Sequence, residues 1–160
     1  MITFDQAAPV FTLKDLNRKP HTLNKQGARL TLVAFFKTTC PTCVTAFPYI
    51  EKIHCAYRDA GLAVWGVSQH DHHRSAEFAK QYGSTFPILI DRDWQVSKAY
   101  DPEFVPTLWL IDPSGKIIDC VVSFDKVGLN RLAQTIAGTL GGAAEMIALD
   151  NDGNPPFKPG

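Results

Sequence analysis

Residues 30 to 53 read LTLVAFFKTTCPTCVTAFPYIEKI, and this stretch decides the fold. Its first part, residues 30 to 36, is a run of Leu, Thr, Val, Ala and Phe, the composition of a central strand buried on both faces. The strand runs directly into Cys40-Pro41-Thr42-Cys43. From Pro41 to about Ala60 the apolar residues Val44, Phe47, Ile50, Ile53 and Tyr57 recur at intervals of three and four, the period of a helix. Pro41 suits the first helical position, where a missing N–H costs nothing. Pro48 sits inside the same helix and predicts a kink, and Gly61 ends it.

Upstream, residues 10 to 23 read as a hairpin around Asn17-Arg18-Lys19-Pro20, an ornament on the N-terminal side. Downstream, residues 62 to 67 (LAVWGV) form a second strand. A helix follows over residues 71 to 82, capped by Asp71 and closed by Gly83. Residues 86 to 91 are a short strand, and 94 to 100 one or two helical turns. Two strands, 107 to 111 and 116 to 122, flank the turn Asp112-Pro113-Ser114-Gly115. A last helix spans about residues 126 to 140. The order β-α-β-α-β, then hairpin and helix, predicts an α/β sandwich around a mixed sheet, one domain over residues 1 to 140. Residues 141 to 160, ending NDGNPPFKPG, read as a tail or a wrapped extension.

Hydrophobic residues make up 45% of the 160 and charged residues 20%, enough to build a core and far from the signature of disorder. Lys plus Arg and Asp plus Glu are 16 each, so there is no basic excess to hold a phosphate backbone, and nucleic acid is not an expected partner. No apolar run reaches membrane-spanning length, and MITFDQAAPVFTL lacks the pattern of a signal peptide. As it stands the chain reads as cytoplasmic; a chain relieved of an export signal would be extracytoplasmic and read the same way.

Cys40 is placed at the N-terminus of a helix, where unpaired N–H groups and the positive end of the dipole favour thiolate over thiol. Cys43 lies one turn further in, within reach of a disulfide with Cys40. The cycle this suggests is attack by Cys40 on a disulfide, a mixed intermediate, and resolution by Cys43. Zinc would need more ligands than the motif provides, and c-type haem attachment needs a histidine where Val44 stands. No metal and no cofactor is expected.

The chain resembles the thioredoxin-like superfamily, and within it the TlpA/ResA-like thiol-disulfide oxidoreductases that border the AhpC/TSA redoxins. The resemblance rests on APVFTL at the entry, the segment around C-P-T-C, VWGVSQ, and FPILIDRDWQVSKAYDPEFVPTLWLIDPSGKII. It implies a three-layer sandwich whose mixed central sheet is flanked by helices, with the N-terminal β-hairpin added. It also implies catalysis by Cys40 and Cys43 and substrate binding by Pro41, Thr42, Val105 and Pro106, the Val105-Pro106 bond being cis and lying opposite the cysteines. The partners implied are protein thiols and disulfides and an upstream reductase or oxidase. Two departures stand out. A buried acid common in thioredoxins is replaced by Ala34, and the glutamate of ResA-like proteins by Ala46. Thr39 stands where a tryptophan is common.

A peroxiredoxin-like thiol peroxidase shares the fold, but the P-x-x-x-T/S-x-x-C pattern is missing: Phe36 and Cys40 stand at its positions before Cys43, and Val33 and Lys37 before Cys40. A binding module with a structural Cys40–Cys43 disulfide is the non-enzymatic alternative. The cluster His70-Asp71-His72-His73 has the chemistry of a zinc or nickel site but falls where polar residues cap and solvate a helix. Cys55 and Cys120 are expected to be small buried hydrophobes. Trp65, Trp94 and Trp109 are expected in the core or at its rim.

Overall fold

The computed structural model describes residues 1–25 and 27–160. In chain order the elements are β1 (Thr12–Lys14), β2 (Pro20–Thr22), β3 (Leu30–Phe36), α1 (Pro41–Tyr57), a 3-10 turn (Arg58–Ala60), β4 (Leu62–Ser68), α2 (His72–Gln81) and β5 (Ile88–Ile90). There follow α3 (Gln95–Tyr100), β6 (Thr107–Ile111), β7 (Ile117–Val122), β8 (Phe124–Asp125), α4 (Lys126–Leu140) and β9 (Phe157–Lys158). The central sheet has the order β5-β4-β3-β6-β7. β3, β4 and β5 are parallel; β6 runs antiparallel to β3, and β7 runs antiparallel to β6.

Every residue of β3 is buried, because the strand is central and both faces are covered. Its alternation divides the core. Leu30, Leu32, Ala34 and Phe36 face a cluster built with α1, α2 and α4, including Phe47, Phe78 and Leu132. Val33 and Phe35 face the other, with Phe11, Leu23, Trp65, Tyr100 and Trp109. The result is the expected three-layer α/β sandwich.

The hairpin β1-β2 is more than an ornament. Asp15 bridges Leu89 of β5, and Phe11 and Leu23, which flank the hairpin strands, are buried in the second cluster. A sheet face this apolar needs a cover, and α3 alone is too short to supply it.

α1 is continuous through Pro48 and yields to the 3-10 turn at Arg58, after which Gly61 takes φ +114°, a conformation open to glycine. Asp71 caps α2, its carboxylate accepting from the Arg74 N–H at 2.8 Å.

The final twenty residues lie along α4 and α1. Asn130 accepts from the N–H groups of Ile147 and Ala148 and donates to the Ala148 carbonyl, and both of those residues are buried. The Lys126 ammonium, 4% exposed, donates to the carbonyls of Leu149 and Asn154 and to Asp152 at 2.7 to 2.8 Å. Asp152 also accepts from Tyr49. β9 then pairs antiparallel with β8.

Candidate active site

The register of the sheet brings the site together. Phe35, near the end of β3, pairs with Thr107 at the start of β6. The segment leaving β3 toward Cys40 and the segment entering β6 through Val105 and Pro106 are therefore neighbours, although 65 residues separate Cys40 from Val105. The Val105–Pro106 bond is cis. The Cys40 thiol donates to the Val105 carbonyl at 3.5 Å.

Cys40 is the N-cap of α1, in extended conformation, and its sulfur accepts the Cys43 N–H at 3.1 Å. This is the local chemistry of a capping residue, with sulfur in the place usually taken by oxygen. The Cys43 thiol hydrogen bond lowers the Cys40 pKa most, the N–H groups of Cys43 and Thr42 add to it, and the Lys158 charge contributes. Burial opposes them, and the outcome is a pKa of about 6. Cys43 is fully buried, and burial, together with its bond to the Cys40 sulfur, pushes its thiol far up; the N–H and charge of Lys37 pull the other way. One sulfur is thus a ready thiolate and the other a held-back thiol, both reduced in this structure.

Pro41 is exposed at the first position of α1; Thr42 is buried beside it, its hydroxyl donating to the Pro159 carbonyl at 2.5 Å. Val105 is half-buried and Pro106 buried. All six residues singled out from the sequence therefore occupy one corner of the molecule. Beyond Val105 the surface opens into a cavity of about 300 Å³ lined by Lys37, Gln69, Trp94 and Phe104 among others.

No acid stands behind Cys43 at the two substituted positions. Ala34 and Ala46 are both buried in the same cluster as Cys43, so the space is filled by carbon.

Two groups escaped the sequence reading. Ser123, between β7 and β8, donates its N–H to the Pro106 carbonyl and accepts from the Gly160 N–H. Lys158 reaches back to Thr45, its ammonium donating to the hydroxyl at 3.2 Å. Neither carries a motif; the pairing of β6 with β7, Thr107 against Val122, brings Ser123 beside Pro106, and the pairing of β8 with β9 places Lys158.

The histidine cluster is dispersed. His70 Nδ1 shares a hydrogen bond with the Thr38 hydroxyl at 2.6 Å, His72 Nε2 bonds the Leu16 carbonyl, and Asp71 is the α2 cap. Among the described residues no group of three His, Cys, Asp or Glu converges on a metal position.

Cys55 corrects an expectation. It is exposed, its thiol directed at Glu51, because it lies two residues past Ile53 and so about 200° around the helix from that buried face. Cys120 is half-buried, on the partly exposed face of β7, with burial raising its thiol to about 11. Trp65 and Trp109 are core residues, and Trp94 is 44% exposed at the rim.

A model of the AhpC/TSA family matches residues 4–120. The thiol-disulfide oxidoreductase ResA of Geobacillus thermodenitrificans is 33% identical over 117 residues, which are 72% of this chain and 67% of that protein. Among solved structures, a thiol:disulfide interchange protein from a Bacteroides species superposes with a TM-score of 0.75 at 26% identity, covering 90% of this chain and 94% of its own. A protein of Sinorhizobium meliloti 1021 gives 0.77 at 24% identity, covering 99% of this chain and 93% of its own. The likeness of fold to the last therefore extends through the C-terminal segment. Among the described residues no helix is long and apolar enough to cross a membrane.

Proposed function

The chain belongs to the AhpC/TSA family, and from that premise we propose that it is a thiol-disulfide oxidoreductase whose Cys40–Cys43 pair exchanges dithiol for disulfide with proteins. In the reducing direction the Cys40 thiolate attacks one sulfur of a substrate disulfide. A Cys40–substrate disulfide forms, and the other substrate sulfur leaves as a thiolate that takes up a proton. Cys43 then loses its proton and attacks the Cys40 sulfur. The Cys40–Cys43 bond forms, the second substrate thiol is released, and two electrons have passed from the protein to its substrate. An upstream dithiol reductase restores the pair; in the oxidising direction the same steps run backward, a substrate dithiol passing two electrons to the Cys40–Cys43 disulfide, and an upstream disulfide oxidant then restores that disulfide.

The observation that carries this reading is the polarisation of the pair: a Cys40 sulfur that accepts two backbone N–H groups, with a pKa of about 6, beside a buried Cys43 thiol. Thiol–disulfide exchange needs that asymmetry and a backbone edge to hold an extended substrate, the role proposed for Val105, Pro106, Pro41 and Thr42. A chain that meets its substrates outside the cytoplasm fits this chemistry as well as one inside.

Parallel assays with insulin and hydrogen peroxide test the proposal. Insulin reduction is expected to exceed peroxide consumption, to vanish in Cys40→Ser, and to stall at a trapped mixed disulfide in Cys43→Ser. Cys-dependent peroxide turnover without insulin reduction would move the protein to the peroxidase side of its family. A Cys40–Cys43 disulfide that resists dithiothreitol would make it a binding module.

A further inference from the structure

The edge assigned above to an extended substrate is already covered by the chain itself. Pro159 accepts the Thr42 hydroxyl, Gly160 donates its N–H to the Ser123 hydroxyl at 3.1 Å, and Lys158 holds Thr45 at 3.2 Å. Gly160 lies so close to Val105 that a Cβ built on it would overlap the carbonyl oxygen and stand 2.8 Å from the carbonyl carbon. That carbonyl is the one the Cys40 thiol faces. We propose that residues 157–160 form a specificity strap: small disulfides reach Cys40 with the strap in place, whereas protein disulfides exchange only when Pro159 and Gly160 lift from Thr42 and Val105.

The distribution of anchors says which part moves. Up to Pro156 the segment is fixed by the Lys126 ammonium, by Asp152 with Tyr49, and by the Lys126 N–H on the Pro156 carbonyl, and Phe157 and Lys158 pair with β8. Pro159 and Gly160 are exposed and held by two neutral hydrogen bonds. Two such bonds favour the closed position by roughly 5- to 150-fold, which is the factor by which a competing protein substrate is disfavoured. Lys158 stays behind when the strap lifts, so its contribution to the Cys40 thiolate is kept.

The inference rests on the proposed thiol–disulfide activity, and the test separates the two. In a Cys55→Ser background, Gly160→Ala pushes the strap off Val105 by overlap, and a chain ending at Lys158 removes the two lifting residues without unfolding anything behind them. Either change is expected to raise kcat/KM for insulin by at least about fivefold and to leave that for bis(2-hydroxyethyl) disulfide within about twofold. Independently of turnover, alkylation of Cys40 by a peptide-borne maleimide, read by mass, is expected to accelerate by the same factor, with iodoacetamide unchanged. Equal effects on large and small reagents, or none, would overturn the strap. Absence of insulin reduction in every variant, with the alkylation contrast present, would instead count against the activity. Faster peptide alkylation without faster insulin reduction in an active enzyme would show that the strap covers Cys40 but does not select substrates, which also overturns the inference.

Discussion

Lowering the pH through the titration of Cys40 should switch off its reactivity near pH 6. A free cysteine thiol titrates at about 8.5, so at pH 7 it is about 3% thiolate, whereas a group titrating at about 6 is roughly nine-tenths thiolate, a ratio of about 30. Nucleophilicity falls with basicity: with a Brønsted coefficient of about 0.4 to 0.5, a drop of some 2.5 units costs roughly 13-fold. The two nearly cancel, leaving about a twofold gain at pH 7, so the absolute rate says little and the midpoint decides. The assay is the rate of iodoacetamide labelling at Cys40 from pH 4.5 to 9.5, read by mass spectrometry in the dithiol protein. The largest cause of the depression is the Cys43 thiol, so Cys43→Ala should move the midpoint upward. It should stop short of an ordinary thiol because the N–H groups of residues 42 and 43 remain. A wild-type midpoint above pH 8, or one that Cys43→Ala leaves in place, would refute this account of the site.

Ala46→Glu places a carboxylate where carbon now fills the space beside Cys43; in single-turnover experiments it should speed resolution of the mixed disulfide by at least about tenfold, at a cost in thermal stability from burying the charge. Phe47, fully buried against Phe36, Phe78 and Phe86, should cost about 3 to 5 kcal/mol as Phe47→Ala in urea unfolding. Lys126→Met removes the three hydrogen bonds that fix residues 149 to 154, and limited proteolysis there should quicken by roughly tenfold or more while the rest of the domain stays resistant. Because the folded pKa of Cys40 lies below its unfolded value, its contribution to dithiol stability is complete above the unfolded thiol pKa and is lost as pH falls toward 6. The stability difference between wild type and Cys40→Ser should shrink accordingly between pH 9 and pH 5 in denaturant titrations.

Much of the site was legible because its chemistry is local. A buried strand, a C-P-T-C at its end and a helix with Pro at its first turn define a capping cysteine without reference to anything distant; Asp71 and Gly61 mark helix termini, and the Asp112–Gly115 turn marks the hairpin of β6 and β7. Composition was a poorer guide where exposure depends on a face. Cys55 looks like a hydrophobe, yet it falls off the buried stripe by angle alone. The hairpin likewise looked dispensable until the sheet face beneath it proved too apolar to leave bare.

The reactive pair is a matter of local sequence, since the N–H groups that favour a Cys40 thiolate belong to Thr42 and Cys43 and arrive with the first turn of α1. What stands opposite that pair was decided by tertiary structure. The register of β3 with β6 carries Val105 to Cys40, and β8 with β9 carries Lys158 and Gly160 to the same place from the far end of the chain. Such encounters are set by strand pairing across long separations, where the backbone does the recognising and the side chains leave no periodic trace to read.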